Sequence, residues 1–265
     1  MVPEKRYTNQ AQRYWRFLGS GMATLFISDL HLSLERPEKL ALFYHLLSGP
    51  ARDAEALYIL GDLFEAWIGD DDTTSPHYEV VEALAHYAAT GKPLYLMHGN
   101  RDFLMGPEFE ARSGGTLLPD PFIVDLYGEK TLLMHGDTLC TQDIDYQAFR
   151  KQVRDPRWIQ GFLQKPLAER AAIASNLREG SRAATRQKEA VIMDVDPAAV
   201  SQTMIDYGVR QLIHGHTHRP GIHRLEIQGQ SARRIVIGDW YDRDLVLVYG
   251  AQEPRLVTAS ALANP

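Results

Sequence analysis

The stretch Leu25–His31, with the sequence LFISDLH, decides how the rest of the chain is interpreted. Its first three residues are apolar and predict a short buried strand, and Asp29 and His31 follow directly after that strand. Polar side chains just beyond the end of a buried strand lie at the edge of a sheet, where side chains from several strands can meet. The stretch therefore predicts a strand that brings an Asp and a His to one edge of a sheet.

The same arrangement recurs in the next part of the chain. Further strands are predicted at Ala56–Leu60 and Pro93–Met97, and helices are predicted around Leu40–Leu47 and over Tyr78–Ala89. This βαβαβ alternation predicts a largely parallel sheet with right-handed crossovers.

A second group of strands follows. Phe122–Leu126 and Thr131–Met134 flank a short turn and predict an antiparallel hairpin. From about Thr141 to Tyr207 the pattern is helical. Strands are predicted again at Val209–Ile213, Ile222–Ile227, Arg234–Ile237 and Leu245–Tyr249. We therefore predict an α/β fold with a core of residues 22–140 and 208–265 and a helical lid insertion of residues 141–207.

Composition narrows the class of protein. The chain has 265 residues, of which 45% are hydrophobic, enough for a sizeable core. Its net charge of −6 argues against sequence-independent binding to nucleic acid, and a single cysteine excludes an internal disulfide and favours a reducing cytosol.

Residues 1–21 end in Gly19-Ser20-Gly21 directly before Met22, which indicates an added extension ahead of a native start. A native N-terminal arm is the alternative.

Five short motifs fall just beyond predicted strands. An Asp in such a place is usually a turn former or a helix cap, and a lone His is usually not a ligand, so each motif alone is weak. Their occurrence together, and a His-x-His-x-His run among only 10 His, is a strong signal. The motifs are Asp29-Leu30-His31, Gly61-Asp62, Gly99-Asn100-Arg101-Asp102, His135-Gly136-Asp137 and His214-Gly215-His216-Thr217-His218.

This combination resembles the calcineurin-like metallophosphoesterase family, whose fold is a sandwich of two mixed sheets flanked by helices. The resemblance implies two cations, with Asp62 bridging them. It implies one cation held by Asp29, His31 and His218, and another held by Asn100, His135 and His216. His214 is then a neighbour of the ligands. Carboxylate, imidazole and amide ligands suit Mn, Fe or Zn, and two Mn²⁺ ions per chain are the first expectation from the resemblance. Such a pair activates water and stabilises an in-line displacement at phosphorus.

Arg101 departs from the usual family motif, which has His at this place. Arginine does not act as a general acid, because its pKa exceeds about 12. A phosphate leaving group does not need one, and a guanidinium can bind its oxygens in a planar fork. The departure favours a pyrophosphate substrate, with Arg101, Asn100 and His216 as catalytic candidates. The alternative is a structural Arg101, paired for example with Asp102.

The helical insertion is basic and partly apolar. Residues 150–188 contain ten Lys or Arg against three acidic residues, interleaved with Trp158, Phe162 and other apolar side chains. A solvated basic helix and the small core of a subdomain are the ordinary explanations. An amphiphile with an anionic head group, or an anionic membrane surface, would fit the same pattern.

Longer runs resemble one branch of the family, notably Gly61–Asp71 and Gly99–Phe103. That resemblance implies hydrolysis of UDP-2,3-diacylglucosamine to UMP and 2,3-diacylglucosamine 1-phosphate in lipid A biosynthesis, by an enzyme peripheral on the cytoplasmic face of an inner membrane. It implies substrate contacts from Asn100, Arg101, Asp143, Tyr146, Arg178, Ser181, Thr185, Lys188 and His216.

Three other functions compete with this interpretation. They are a soluble phosphodiesterase or nucleotide pyrophosphatase on the same core, a non-catalytic scaffold, and a nuclease. The apolar lid and Arg101 disfavour the first, the complete ligand set disfavours the second, and the net charge disfavours the third. The sequence assigns neither an oligomeric state nor an acyl-chain length.

Overall fold

The computed structural model of the protein describes residues 23–187 and 194–263, and for residues 181–187 and 263 the description covers the backbone alone. The predicted extension at 1–21 and Lys188 lie outside the described residues. The strands are β1 (Ala23–Ile27), β2 (Ala56–Leu60), β3 (Leu94–Met97), β4 (Thr116–Leu118), β5 (Phe122–Leu126), β6 (Glu129–Met134), β7 (Gln211–His214), β8 (Gly221–Ile227), β9 (Gln230–Val236), β10 (Leu245–Gly250) and β11 (Arg255–Thr258).

Helices connect and cover these strands. They are α1 (Pro37–Ser48), α2 (Pro50–Asp53), α3 (His77–Ala88), α4 (Pro107–Ser113), α5 (Ile144–Val153), α6 (Pro156–Leu163), α7 (Leu167–Gln187), α8 (Pro197–Asp206) and α9 (Ala259–Ala263), with a single 3₁₀ turn at Asp137–Leu139. Within the described ranges, no helix is both long and apolar enough to cross a bilayer.

The strands form two mixed sheets, which confirms the predicted fold class. One sheet has the order β11-β10-β1-β2-β3-β4, and its neighbours from β1 to β4 are parallel, as the βαβαβ alternation predicts. The other has the order β5-β6-β7-β9-β8, in which β5 and β6 form the predicted antiparallel hairpin. Strands β4 and β11 were not predicted, and β9 begins four residues before the predicted Arg234.

The hydrophobic core has three layers of apolar side chains, because successive side chains of a strand point to opposite faces of its sheet. Phe26 points between the sheets and packs with residues such as Ile213 and Ile235 of the other sheet. Its neighbours Leu25 and Ile27 point the opposite way, into the cluster that includes Phe43 of α1. Helix α8 covers the outer face of the second sheet. One short apolar run therefore supplies two of these layers.

Helices α5 to α8 lie between β6 and β7, in the region predicted as a helical insertion. Aspartates begin three of them: Asp143, Asp155 and Asp196 each accept a hydrogen bond from a backbone N–H of the first turn. Such caps satisfy N–H groups that have no partner inside the helix. The division of the chain into core and lid stays a prediction.

Candidate metal centre

The ends of five parallel strands deliver the predicted ligands to one place. Asp29 follows β1, Asp62 follows β2 and Asn100 follows β3, so three ligands come from adjacent strands of the first sheet. His135 follows β6, and His216 and His218 follow β7, which pairs with β6. The carboxyl ends of both sheets therefore meet at one edge of the sandwich.

Two overlapping groups of side chains could each hold a cation. Ligand atoms of Asp29, His31 and His218 lie within 4.8 Å of one another, and so do those of Asp29, Asp62 and His135. Asp62 belongs to the second group and also approaches the first, with Oδ2 3.7 Å from Nε2 of His31 and Oδ1 3.9 Å from Nε2 of His135. This placement suits a carboxylate that bridges two ions.

The amide of Asn100 joins the remaining imidazoles. Its Oδ1 is 3.0 Å from Nε2 of His135 and 2.9 Å from Nδ1 of His216. The structure thus brings the seven predicted ligands together, and their role as ligands stays a prediction. His214 is fully buried behind them, with Nδ1 2.9 Å from the carbonyl oxygen of Gly215.

Several of these groups have no hydrogen-bond partner. Within the described ranges, Oδ1 of Asp29 and both ring nitrogens of His31 are buried and unpartnered. Leaving a buried polar atom unpaired costs about 1–3 kcal/mol. A divalent cation would satisfy Oδ1 of Asp29 and Nε2 of His31, so the residues present fit the metal that the family implies.

The backbone at the site is strained in a consistent way. Five of the eight non-glycine residues with positive φ in the described chain are predicted ligands, with φ between 49° and 66°. They are Asp29, His31, Asp62, His216 and His218. Such conformations cost about 1–3 kcal/mol each and collect at functional sites, where they aim side chains that regular backbone would direct elsewhere.

Glycines precede three of the ligands because the loops approach one another closely. A Cβ on Gly99 would lie 2.1 Å from Oδ1 of Asp62, and one on Gly215 would lie 2.3 Å from Oδ2 of Asp29. Any larger residue would push a carboxylate away from the centre. This contact explains the Gly-Asn and Gly-His pairs of the motifs.

Burial and neighbouring charge set the protonation of the centre. Burial raises the pKa of Asp62 to about 7. Burial alone would lower the pKa of His135, but the carboxylates of Asp62, Asp29 and Asp137 raise it to about 9. Burial lowers the pKa of His216 to about 4. Asp62 and His135 thus hold protons near neutral pH that a bound cation would displace.

Comparison with known proteins identifies the family. The family description "calcineurin-like phosphoesterase" matches residues 22–220, which is most of the chain and includes all seven predicted ligands. The chain belongs to this family.

Individual members of the family are similar over most of their length. A UDP-2,3-diacylglucosamine hydrolase from Pseudomonas paraeruginosa is 55% identical over 83% of this chain and 91% of its own. One from an Enterobacter species is 54% identical over 83% of this chain and 92% of its own. One from Aeromonas hydrophila is 51% identical over 89% of this chain and 98% of its own.

The helices between β6 and β7 contact the rest of the chain through buried and half-buried arginines. Arg170 is 2% exposed and donates to the carbonyl oxygen of Ile68 at 2.7 Å and to Asp71 at 2.8 Å. Arg154 donates to the carbonyl oxygen of Gly99 at 2.9 Å, and Arg150 pairs with Asp137 at 2.7 Å. Part of the basic excess therefore attaches the insertion to the core.

A cavity of about 740 Å³ lies between the insertion and the ligands. Its lining includes ligands such as Asp62 and His216 and apolar side chains such as Trp158 and Phe162, whose rings stack with centroids 4.9 Å apart. Of the predicted substrate residues, six line it: Asn100, Arg101, Asp143, Tyr146, Arg178 and His216. Ser181 and Thr185 lie on the last turns of helix α7, over residues 181–187, where only the backbone is described.

Asp102 is not the partner of Arg101, contrary to the alternative in which the two form a structural pair. Asp102 is fully buried and accepts hydrogen bonds from the backbone N–H groups of Gly99, Asp62 and Leu63. Nε of Arg101 is buried and has no hydrogen-bond partner among the described residues. The guanidinium is therefore placed in the cavity wall with unused hydrogen-bonding capacity.

Three carboxylates behind the ligands were not predicted as functional. Asp137 accepts hydrogen bonds from the Tyr146 hydroxyl at 2.6 Å and from Arg150. Burial would raise the pKa of Asp137, but His135, His216 and Arg150 hold it well below its usual value. Oδ2 of Asp239 lies 3.7 Å from Nδ1 of His218, and Glu65 lies beside His31. Asp137 and Glu65 lie within sequence motifs described above, which offered a reason to consider them. Asp239 lies in no such motif.

Proposed function

We propose that this protein hydrolyses UDP-2,3-diacylglucosamine to UMP and 2,3-diacylglucosamine 1-phosphate, a step of lipid A biosynthesis. The observation that carries the proposal is the cavity, whose lining includes both predicted cation ligands and apolar side chains. An acylated nucleotide sugar has the matching halves, a pyrophosphate and hydrocarbon chains. The relatives that bear the name of this activity support the assignment.

Two Mn²⁺ ions are the proposed cofactors, held by Asp29, His31, Asp62, Asn100, His135, His216 and His218. When bound, such ions lower the pKa of water and stabilise charge on the attacking and leaving oxygens. Oxygen from water then bonds to the phosphorus nearer uridine, and the bond from that phosphorus to the bridging oxygen breaks. The lipid phosphate leaves with the electron pair.

The chain's own residues orient the substrate in this reaction. Arg101 is proposed to bind the leaving phosphate, because its guanidinium lines the cavity and Nε is unpartnered among the described residues. Arg178, Asp143 and Tyr146 are proposed to bind the sugar and phosphate oxygens, and Ser181, Thr185 and Lys188 to extend that contact. Trp158 and Phe162 would exclude water and contact an acyl chain.

Peripheral association with the cytoplasmic face of an anionic inner membrane is part of the proposal. The insertion carries exposed apolar side chains beside its basic ones, among them Ile144 at 75% and Leu163 at 40% exposure. Apolar side chains flanked by basic residues bind anionic bilayers. Sedimentation with vesicles that contain anionic lipid measures this, and equal sedimentation with neutral vesicles would argue against the electrostatic part.

The test of activity is UMP release from UDP-2,3-diacylglucosamine by the purified protein in Mn²⁺. We expect turnover of this substrate, and little with the deacylated UDP-glucosamine or with bis-p-nitrophenyl phosphate. The Asp62→Asn variant, which loses the proposed bridging charge, serves as the inactive control. Hydrolysis of bis-p-nitrophenyl phosphate without UMP release would instead favour a soluble phosphodiesterase on the same core.

A further inference from the structure

Glu65 is a buried carboxylate that touches both the metal centre and the insertion. It is 5% exposed, and its Oε2 accepts a hydrogen bond from the Tyr241 hydroxyl at 2.9 Å. Oε2 also lies 3.5 Å from Nδ1 of His31. Oε1 lies 3.6 Å from Nε of Arg178 on helix α7. One carboxylate therefore stands between a predicted cation ligand and a predicted substrate contact.

Its position excludes a role as a cation ligand itself. Glu65 lies at Nδ1 of His31, whereas Asp62 lies at Nε2 of the same ring. These two nitrogens are on different edges of the imidazole, and neither group of possible cation ligands among the described residues includes Glu65. Glu65 thus lies behind His31 as seen from the cation centre.

Two other imidazoles of the centre, those of His135 and His218, have an oxygen on the Nδ1 side as well. Nδ1 of His135 is 3.0 Å from the carbonyl oxygen of Leu60, and Nδ1 of His218 is 3.7 Å from Asp239. In metal sites a ligating His donates its second N–H to a carboxylate or a carbonyl, which fixes both its tautomer and its orientation. For His31, Glu65 is the carboxylate on that side of the ring, 3.5 Å from Nδ1.

Tyr241 holds this arrangement from the outside. Its ring packs against the rings of His31 and His218, with centroids 4.9 Å and 5.7 Å away. The Arg36 guanidinium covers Tyr241 at 4.1 Å and donates to the carbonyl oxygen of His31 at 2.6 Å. Tyr241 can therefore keep Glu65 directed at His31.

We infer that Glu65 is a positioning residue with two effects. It keeps the His31 proton on Nδ1, so that Nε2 is free for the cation, and it holds Arg178 over the cavity. The first effect concerns cation binding alone. The second rests on the proposed function, because it concerns the substrate that Arg178 would bind.

The experiment compares Mn²⁺ affinity, by titration calorimetry, with the KM for UMP release. Glu65→Gln keeps the size of the side chain and removes the charge. We expect it to weaken Mn²⁺ binding by about 10-fold or more, the loss typical of partners behind metal ligands, and to raise KM. Arg178→Gln should raise KM and leave Mn²⁺ affinity unchanged. Glu79→Gln, an exposed substitution on α3, is the matched control.

Two results would overturn the inference. One is wild-type Mn²⁺ affinity in Glu65→Gln; the other is an equal loss in Arg178→Gln, which would indicate general loosening of the site. Tyr241→Phe removes the hydrogen bond to Glu65 alone, and it should show a smaller loss in the same direction even if Glu65→Gln folds poorly. Absence of UMP release by the wild-type protein would reject the proposed substrate and leave the Mn²⁺ comparison valid.

Discussion

Asp102 offers the sharpest test of how the metal loops are held together. Its Oδ1 accepts from the N–H groups of Gly99 at 2.7 Å and Asp62 at 3.3 Å, and its Oδ2 accepts from Leu63 at 2.7 Å. The carboxylate thereby joins the loop after β2 to the loop after β3. The perturbation is Asp102→Asn, which keeps the shape and replaces one acceptor oxygen with a donor.

The magnitude follows from the two ways in which the amide can be placed. If its nitrogen replaces Oδ2, the Leu63 N–H meets a donor; if it replaces Oδ1, both other N–H groups do. The less costly placement loses one charge-assisted hydrogen bond and leaves one N–H unsatisfied, about 3 kcal/mol in the free energy of unfolding. For a chain of this size we expect a fall in Tm of about 6–12 °C.

Differential scanning calorimetry measures this change, with the exposed Asp53→Asn on α2 as the matched control. Titration calorimetry should also show weaker Mn²⁺ binding, because Asp62 and Asn100 lie directly beside the lost contacts. A Tm for Asp102→Asn within about 2 °C of the Asp53→Asn value would refute the reasoning.

Three further predictions concern the substrate, protons and the helix caps. Arg101→Ala should lower turnover by about 100-fold, as loss of a donor to a developing anion does, with Mn²⁺ content unchanged; near-normal turnover would contradict its role. Mn²⁺ binding should release protons at pH 7 and strengthen as pH rises from 6 to 9, because Asp62 and His135, with pKa values of about 7 and 9, must lose protons first. A pH-indicator dye in weak buffer measures the proton release. Mn²⁺ binding that does not change with pH would argue against this prediction. Asp70→Ala removes the carboxylate that accepts hydrogen bonds from three backbone N–H groups at the start of α4. Urea unfolding should therefore show a free energy of unfolding lower by about 1–2 kcal/mol, without a change in Mn²⁺ affinity. Unchanged stability would contradict the role of Asp70 as a cap.

The elements that sequence missed are short or lack a distinctive pattern. Strand β4 has three residues, Thr116–Leu118, and is completed by parallel pairing with β3. Strand β11 at Arg255–Thr258 pairs only with β10. A strand of three or four residues carries too little alternation to be recognised, because its stability comes from the neighbouring strand.

The basic insertion shows a different limit. Its composition predicts a phosphate-binding or solvated face, yet Arg150, Arg154 and Arg170 contact the core. A guanidinium serves equally well to bind a substrate or to dock a helix, since both offer oxygen acceptors. Only the position of the acceptor in space distinguishes these uses.

By itself, the sequence determined the α/β fold class and the family, because residue type and place just after a strand carry both. The seven candidate ligands and the role of Arg101 stay predictions that the family resemblance and residue chemistry imply. The tertiary structure decided that Nε2 of His31 and of His135 faces Asp62, that Asp102 joins two loops, and that Glu65 stands behind His31. Those facts are distances between groups far apart along the chain. They arise only when both sheets end at the same edge, where burial makes each unpaired polar atom costly.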